Sequence, residues 1–104
     1  MTDATAFYID GGWVAPEEGH RLDVIDPSTE EVCATISLGG QRDTDAAVAA
    51  AKRAFSEFSQ TTKAERRELL DSILDRYKAR AAEIAEAISI EMGAPADLAQ
   101  SSQM

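Results

Sequence analysis

A chain of 104 residues has room for one domain and no more, and its formal charge of −9 opposes binding to phosphate backbones, so nucleic acid is excluded as a partner. Its 44% apolar and 28% charged residues are those of a folded globular protein, and no apolar run approaches the ~18 residues of a membrane span. The single cysteine, Cys33, rules out a disulfide within the chain and a metal site built on several thiolates. The charge is concentrated early: residues 1–38 hold eight acids and one base, residues 39–104 eleven and nine. Such a distribution reads as a solvated acidic surface that aids solubility. The opening residues, Met1-Thr2-Asp3-Ala4-Thr5-Ala6, have neither the basic start nor the apolar run of a signal peptide, so a cytoplasmic location is expected.

The first third of the chain is strand-rich. Phe7-Tyr8-Ile9 and Trp13-Val14 favour β structure, and Asp10-Gly11 between them is a hairpin turn signal. A second strand pair is predicted over residues 22–25 and 32–38, the latter alternating Val32, Ala34, Ile36 and Leu38 with Cys33, Thr35 and Ser37. Asp26-Pro27-Ser28-Thr29-Glu30 joins them as a turn: Pro27 pre-sets φ, and Asp26 can bond its own backbone two residues on.

Helices follow Gly39-Gly40. Asp43 or Thr44 is the expected cap of a helix running to residue 58, with Val48, Ala51, Phe55 and Phe58 on one apolar face. Thr62-Lys63-Ala64-Glu65 is a capping box that starts a second helix. Leu70, Ile73, Leu74, Tyr77, Ala81, Ile84, Ile88 and Met92 trace its apolar face, and Gly93 with Pro95 ends it. Unbroken, residues 62–92 would extend about 46 Å, so an interruption near residues 78–81 is expected. Pro95 suits the first turn of a further helix over residues 96–104, which has barely begun when the chain stops; the chain reads as cut.

None of the reactive side chains forms a recognisable constellation. Cys33 sits inside a predicted strand without a partner base and reads as structural. His20 reads as a surface-loop residue, with no companion at metal-ligand spacing. Asp71 and Asp75 share a helix face, but lie among Arg66, Arg67, Arg76 and Lys78 and are expected to form exposed ion pairs. Gly39-Gly40 precedes a helix without the Gly-x-Gly-x-x-Gly spacing of a dinucleotide loop. Residue chemistry alone therefore describes an α+β piece of unassigned function.

The order of particular residues goes further. Tyr8-Ile9-Asp10-Gly11-Gly12-Trp13 resembles the aromatic-Ile-x-Gly-x-Trp opening of the aldehyde dehydrogenase family, and residues 24–32 resemble its V-x-N-P-x-T-G-E-V turn. Residues 43–58 are similar to its D-x-D-x-A-V-x-A-A-x-x-A-F helix, Ala64-Glu65-Arg66 to the start of the next, and Glu91-Met92-Gly93-Ala94-Pro95 to its E-x-G-K-P end. Five motifs in that order and spacing cover residues 7–104. The departures are Asp26 for Asn, Glu30 for Gly, where the turn's backbone is affected, and Ala94 for Lys.

The resemblance implies an α/β fold, of which residues 1–104 form the leading part of the NAD(P)-binding domain: a hairpin and strand pair over residues 7–38, then two or three helices over 43–104. It implies a parent enzyme that oxidises a small-molecule aldehyde to a carboxylic acid with NAD or NADP. There a Cys thiolate attacks the carbonyl, hydride passes to nicotinamide, and a Glu-activated water hydrolyses the thioester. Those residues and the coenzyme loop fall beyond Met104, so no catalytic or coenzyme-binding residue is assigned within the chain. Family likeness places one possible monovalent cation, Na+ or K+, on the backbone carbonyls of Val24 and Ile25 and the carboxylate of Glu91. The parent is expected to be a homo-oligomer, with no membrane partner. The alternative is a stand-alone, non-catalytic interaction module derived from the same fold. The chain alone is expected to self-associate through its helical faces or to remain partly unfolded.

Overall fold

The computed structural model describes residues 2–102. It has two compact units, Met1–Val24 with Val32–Gln60, and Ile25–Glu31 with Thr61–Met104. The last two positions of the helix expected over residues 96–104 lie outside the described residues.

The first unit carries β1 (Thr2–Ala4), β2 (Phe7–Ile9), β3 (Gly12–Val14), β4 (Gly19–Ile25), β5 (Val32–Gly39) and α1 (Gln41–Phe58). β2 and β3 form the expected hairpin, with Tyr8 opposite Trp13 and their rings edge-on at 5.2 Å. Asp10 and Gly11 take φ of 56° and 77°, the positive pair that a type I′ turn needs. β5 is the central strand of a three-stranded sheet in the order β1-β5-β4. β1 is an addition to the sequence reading: Thr2-Asp3-Ala4 carries no strand signal, and becomes a strand by lying parallel to Ala34–Ile36. The Ser37 hydroxyl donates to the Thr5 carbonyl at 2.7 Å and holds the exit from β1.

β4 begins at Gly19, three residues before the expected start, so His20 stands on a strand and not in a loop. Gly19 has a φ of 107°, and a β-carbon there would run into the Leu38 backbone carbonyl of β5. Only glycine allows that approach.

α1 is capped differently from the expectation. Gly40 is the N-cap, and Asp43, two residues inside the helix, reaches back to accept the Gly40 N–H at 3.1 Å. Its packing also uses a face rotated from the expected one, with Ala51 common to both. Ala47, Ala50, Ala51 and Ala54 border a groove with Tyr8 and Ile9, and Ala50 is buried, while Phe55 is 67% exposed and Val48 half exposed. The helix has two apolar faces. Alanines let the backbone approach the strands closely, and the large side chains point away from that contact.

The second unit holds the turn after β4 and the helices α2 (Lys63–Ala79), α3 (Ala81–Met92) and α4 (Ala96–Ser102). The capping box forms as expected: Glu65 N–H donates to Thr62 Oγ1 at 3.1 Å, and Thr62 N–H to Glu65 Oε2 at 2.9 Å. The expected interruption falls at Arg80, whose φ of −111° and ψ of 14° leave the helical region. Arg80 closes on Glu83 at 2.7 Å, one turn into α3. Gly93 ends α3 in the left-handed region at φ 72°, its N–H on the Ser89 carbonyl at 2.9 Å. Ala85 and Ala99 are buried where α3 and α4 meet. The predicted stripe on α2 is open, with Leu70 65% and Ile73 53% exposed. Among the described residues, the buried apolar side chains are all alanines.

Candidate functional site

The three residues assigned to a cation stand as follows. Val24 is the half-buried penultimate residue of β4, and its carbonyl accepts the Cys33 thiol of β5 at 3.4 Å. Ile25 closes β4 and Glu91 is exposed in the last turn of α3. Within the second unit the turn following Ile25 and the end of α3 touch: a β-carbon on Gly93 would lie 3.0 Å from the Pro27 ring. That contact joins the segments carrying Ile25 and Glu91; Val24 belongs to the first unit.

The turn itself is tightly made. Asp26 Oδ1 accepts the Ser28 hydroxyl at 2.7 Å and the Ser28 N–H at 2.8 Å. Those bonds, the hydroxyl first, hold the Asp26 carboxyl below its ordinary range. The Glu30 N–H donates to the Asp26 carbonyl at 2.8 Å, and Glu30 adopts φ 61°. Glutamate therefore keeps a left-handed conformation at the position where the resembled turn typically has Gly.

The other candidates remain apart. Cys33 is half-buried within β5, bonded to a backbone carbonyl and not to a base. His20 lines an open groove of about 410 Å³ with Trp13, Pro16, Glu17, Arg21 and Ser37. Asp71 and Asp75 form none of the expected ion pairs among the described residues; the pairs there are Arg53–Asp10 and Arg80–Glu83. Both acids stay exposed on α2, where solvation competes with a surface pair worth little. Among the described residues no three His, Cys, Asp or Glu side chains cluster as a metal site would require.

One polar centre escaped the sequence reading. Asp43 is only 7% exposed, and its carboxylate accepts three backbone N–H groups, from Glu17 at 2.8 Å, Gly40 at 3.1 Å and Glu18 at 3.4 Å. The Glu17 bond first, then that from Gly40, lowers its pKa against the opposing effect of desolvation. In return Glu18 Oε1 accepts the Arg42 N–H at 2.6 Å. Two carboxylates thus clasp the segment before β4 to the start of α1, where unpaired N–H groups favour negative charge. An acid after Gly-Gly signals the cap, but its partners some twenty-five residues earlier leave no local trace.

The geometry agrees closely with known proteins. The profile of the aldehyde dehydrogenase family matches residues 13–104. A 3-succinoylsemialdehyde-pyridine dehydrogenase from a Pseudomonas species is 46% identical over 91% of this chain and 20% of its own length. The crystal structure of an aldehyde dehydrogenase from Bartonella henselae superposes with a TM-score of 0.97 at 48% identity, covering 99% of this chain and 22% of that one. A mutant aldehyde dehydrogenase C from Pseudomonas syringae, crystallised with NAD+ and octanal, gives 0.93 at 42% identity over 96% of this chain and 21% of its own. The chain therefore spans about a fifth of the length of these relatives. Family profile, backbone and residue identity agree, and the chain belongs to the aldehyde dehydrogenase family.

Proposed function

We propose that the chain forms the leading part of the NAD(P)-binding domain of an enzyme that oxidises a small-molecule aldehyde to a carboxylic acid. The carrying observation is its match, at a TM-score of 0.93, to a relative crystallised with NAD+ and octanal. Its 104 residues contribute scaffold: a hairpin, a three-stranded sheet, and helices whose large apolar side chains await neighbours. The nucleophilic cysteine, the general-base glutamate and the coenzyme loop belong to sequence outside them, and Cys33 takes no part. NAD is the coenzyme of the relatives crystallised with one, and NADP is the alternative for the parent. A cytoplasmic homo-oligomer completes the reading.

Within this reading, Na+ or K+ binds the Val24 and Ile25 carbonyls and the Glu91 carboxylate. Hard cations favour such oxygens, and the contact of Pro27 with Gly93 supports the pairing of turn and helix end.

The test compares a full-length protein carrying this sequence with the 104-residue chain, each given NAD, NADP and a panel of aldehydes. The full-length protein should form reduced coenzyme and the chain none above blank. Turnover by the chain that disappears on Cys33→Ser would overturn the assignment. A second reading, a non-catalytic module that self-associates through its helices, is favoured by the exposure of Phe55 and Leu70. An inactive full-length protein would move it ahead.

A further inference from the structure

We propose that Asp10-Gly11, the turn between β2 and β3, is a site of spontaneous modification, where aspartate isomerises to isoaspartate through a succinimide ring. The reaction needs water alone. The Gly11 backbone nitrogen attacks the carbon of the Asp10 side-chain carboxyl and forms an N–C bond. The carboxyl's C–O bond breaks, and its hydroxyl leaves as water with the nitrogen's proton. Water then adds to either ring carbonyl. Opening at the side-chain carbonyl restores aspartate, whereas opening at the main-chain carbonyl routes the backbone through the side-chain carbon. The mass is unchanged.

The chain narrows this chemistry to one place. It has no asparagine, whose amide would cyclise faster, and Asp10 is its one aspartate followed by glycine. A following side chain crowds the attacking nitrogen; glycine has none, and a β-carbon on Gly11 would meet nothing within 4 Å. The other aspartates are held. Asp26 precedes Pro27, which has no N–H to give up. Asp43 is 7% exposed, with its carboxylate committed to three backbone N–H groups. Asp45, Asp71 and Asp75 lie inside α1 and α2, where the next N–H is bound to a carbonyl one turn back. Asp3 and Asp23 lie within strands. Asp97 is the nearest rival, since its Oδ1 accepts the Leu98 N–H at 3.1 Å, but the leucine side chain flanks that nitrogen.

The hairpin gives the turn little to hold it closed. β2 and β3 have three residues each and form a two-stranded sheet of their own, a marginal structure that opens at small cost. The Arg53–Asp10 pair at 3.3 Å joins two exposed side chains and adds little to that. The product is incompatible with the turn it came from. A two-residue loop with φ of 56° and 77° fits the twist of its strands, and isoaspartate lengthens its backbone by one carbon. Tyr8 and Trp13, paired across the hairpin with their rings at 5.2 Å, then lose their register.

The experiment ages the 104-residue chain in warm neutral buffer and maps its peptides by electron-transfer mass spectrometry, with enzymatic methylation of isoaspartyl carboxyls as a second count. Isoaspartate should accumulate first and most at residue 10. Asp10→Glu should remove that signal, because its six-membered ring closes far more slowly. Asp10→Asn keeps a favoured turn pair and so remains folded. It should convert faster than the wild type and with loss of ammonia, its product gaining the mass difference between amide and acid. The isomerised wild type, separated by chromatography, should lose the near-UV circular dichroism of the Tyr8–Trp13 pair and shift the fluorescence of Trp13, the one tryptophan. Isoaspartate as abundant at Asp97 or Asp71 as at Asp10 overturns the proposal. So does a wild type free of it at residue 10 long after Asp10→Asn has converted, an Asp10→Asn chain that stays an amide, or an isomerised chain with unchanged aromatic signals.

Discussion

The Asp43 carboxylate at the start of α1 accepts the backbone N–H of Glu17 at 2.8 Å, across twenty-six residues of sequence. With Glu18 N–H and Gly40 N–H it gathers three donors that would otherwise lose their hydrogen bonds on burial. Asp43→Ala should lower stability at neutral pH. The pH dependence has a definite sign. Asp43 is held below the ordinary aspartate value of 3.8, so the unfolded chain binds its proton first on acidification. Its contribution is complete above that value and is lost as pH falls through the lower, folded pKa. Urea melts of wild type and Asp43→Ala should therefore differ clearly at neutral pH, and the gap should begin to narrow only as pH falls below about 4. A gap that stays constant into acid would mean that the carboxylate's charge contributes nothing.

Glu30 occupies left-handed backbone at φ 61°. For a residue with a β-carbon that conformation costs ~1–2 kcal/mol, partly offset in a Gly variant by the greater freedom of its unfolded chain. Glu30→Gly is expected to raise stability by ~1 kcal/mol in denaturant melts. Asp10→Gly serves as the control: aspartate tolerates φ 56° far better, so that change should be close to neutral. Equal effects at the two positions would remove backbone strain as the explanation.

Thr62 and Glu65 exchange bonds at the start of α2. Thr62→Ala should cost ~1 kcal/mol, the usual loss for a helix cap. Thr62→Ser retains the hydroxyl and should recover most of it. A neutral Thr62→Ala in a urea melt would show that α2 does not depend on this cap.

Two glycines admit close neighbours for different reasons, and substitution separates them. A methyl at Gly40 meets the flexible side chain of Glu18, which can swing aside at the loss of its bond to Arg42. A methyl at Gly19 meets the Leu38 backbone carbonyl and also carries the strain of φ 107°. Gly19→Ala should cost about 3 kcal/mol or more, and Gly40→Ala roughly 1–2 kcal/mol. Thermal melts that rank them the other way would mean that β4 and β5 can separate at their open end without loss.

Features made by neighbouring residues are legible in the sequence. Asp10-Gly11 forms its turn because both residues tolerate positive φ, and Asp26 bonds Ser28 because two residues is the reach of its side chain. Thr62–Glu65 and Gly93-Ala94-Pro95 bound their helices by equally local chemistry. Features that join distant residues were not legible. β1 exists because β5 offers it a parallel partner, the Asp43 clasp needs Glu17 and Glu18, and His20 is strand because Gly19 lies against Leu38. α1 shows the division most plainly: its composition permits two apolar faces, and periodicity favours the one with larger side chains. Packing beside β2 uses the alanine face, since small side chains allow the close approach of backbones that large ones would prevent.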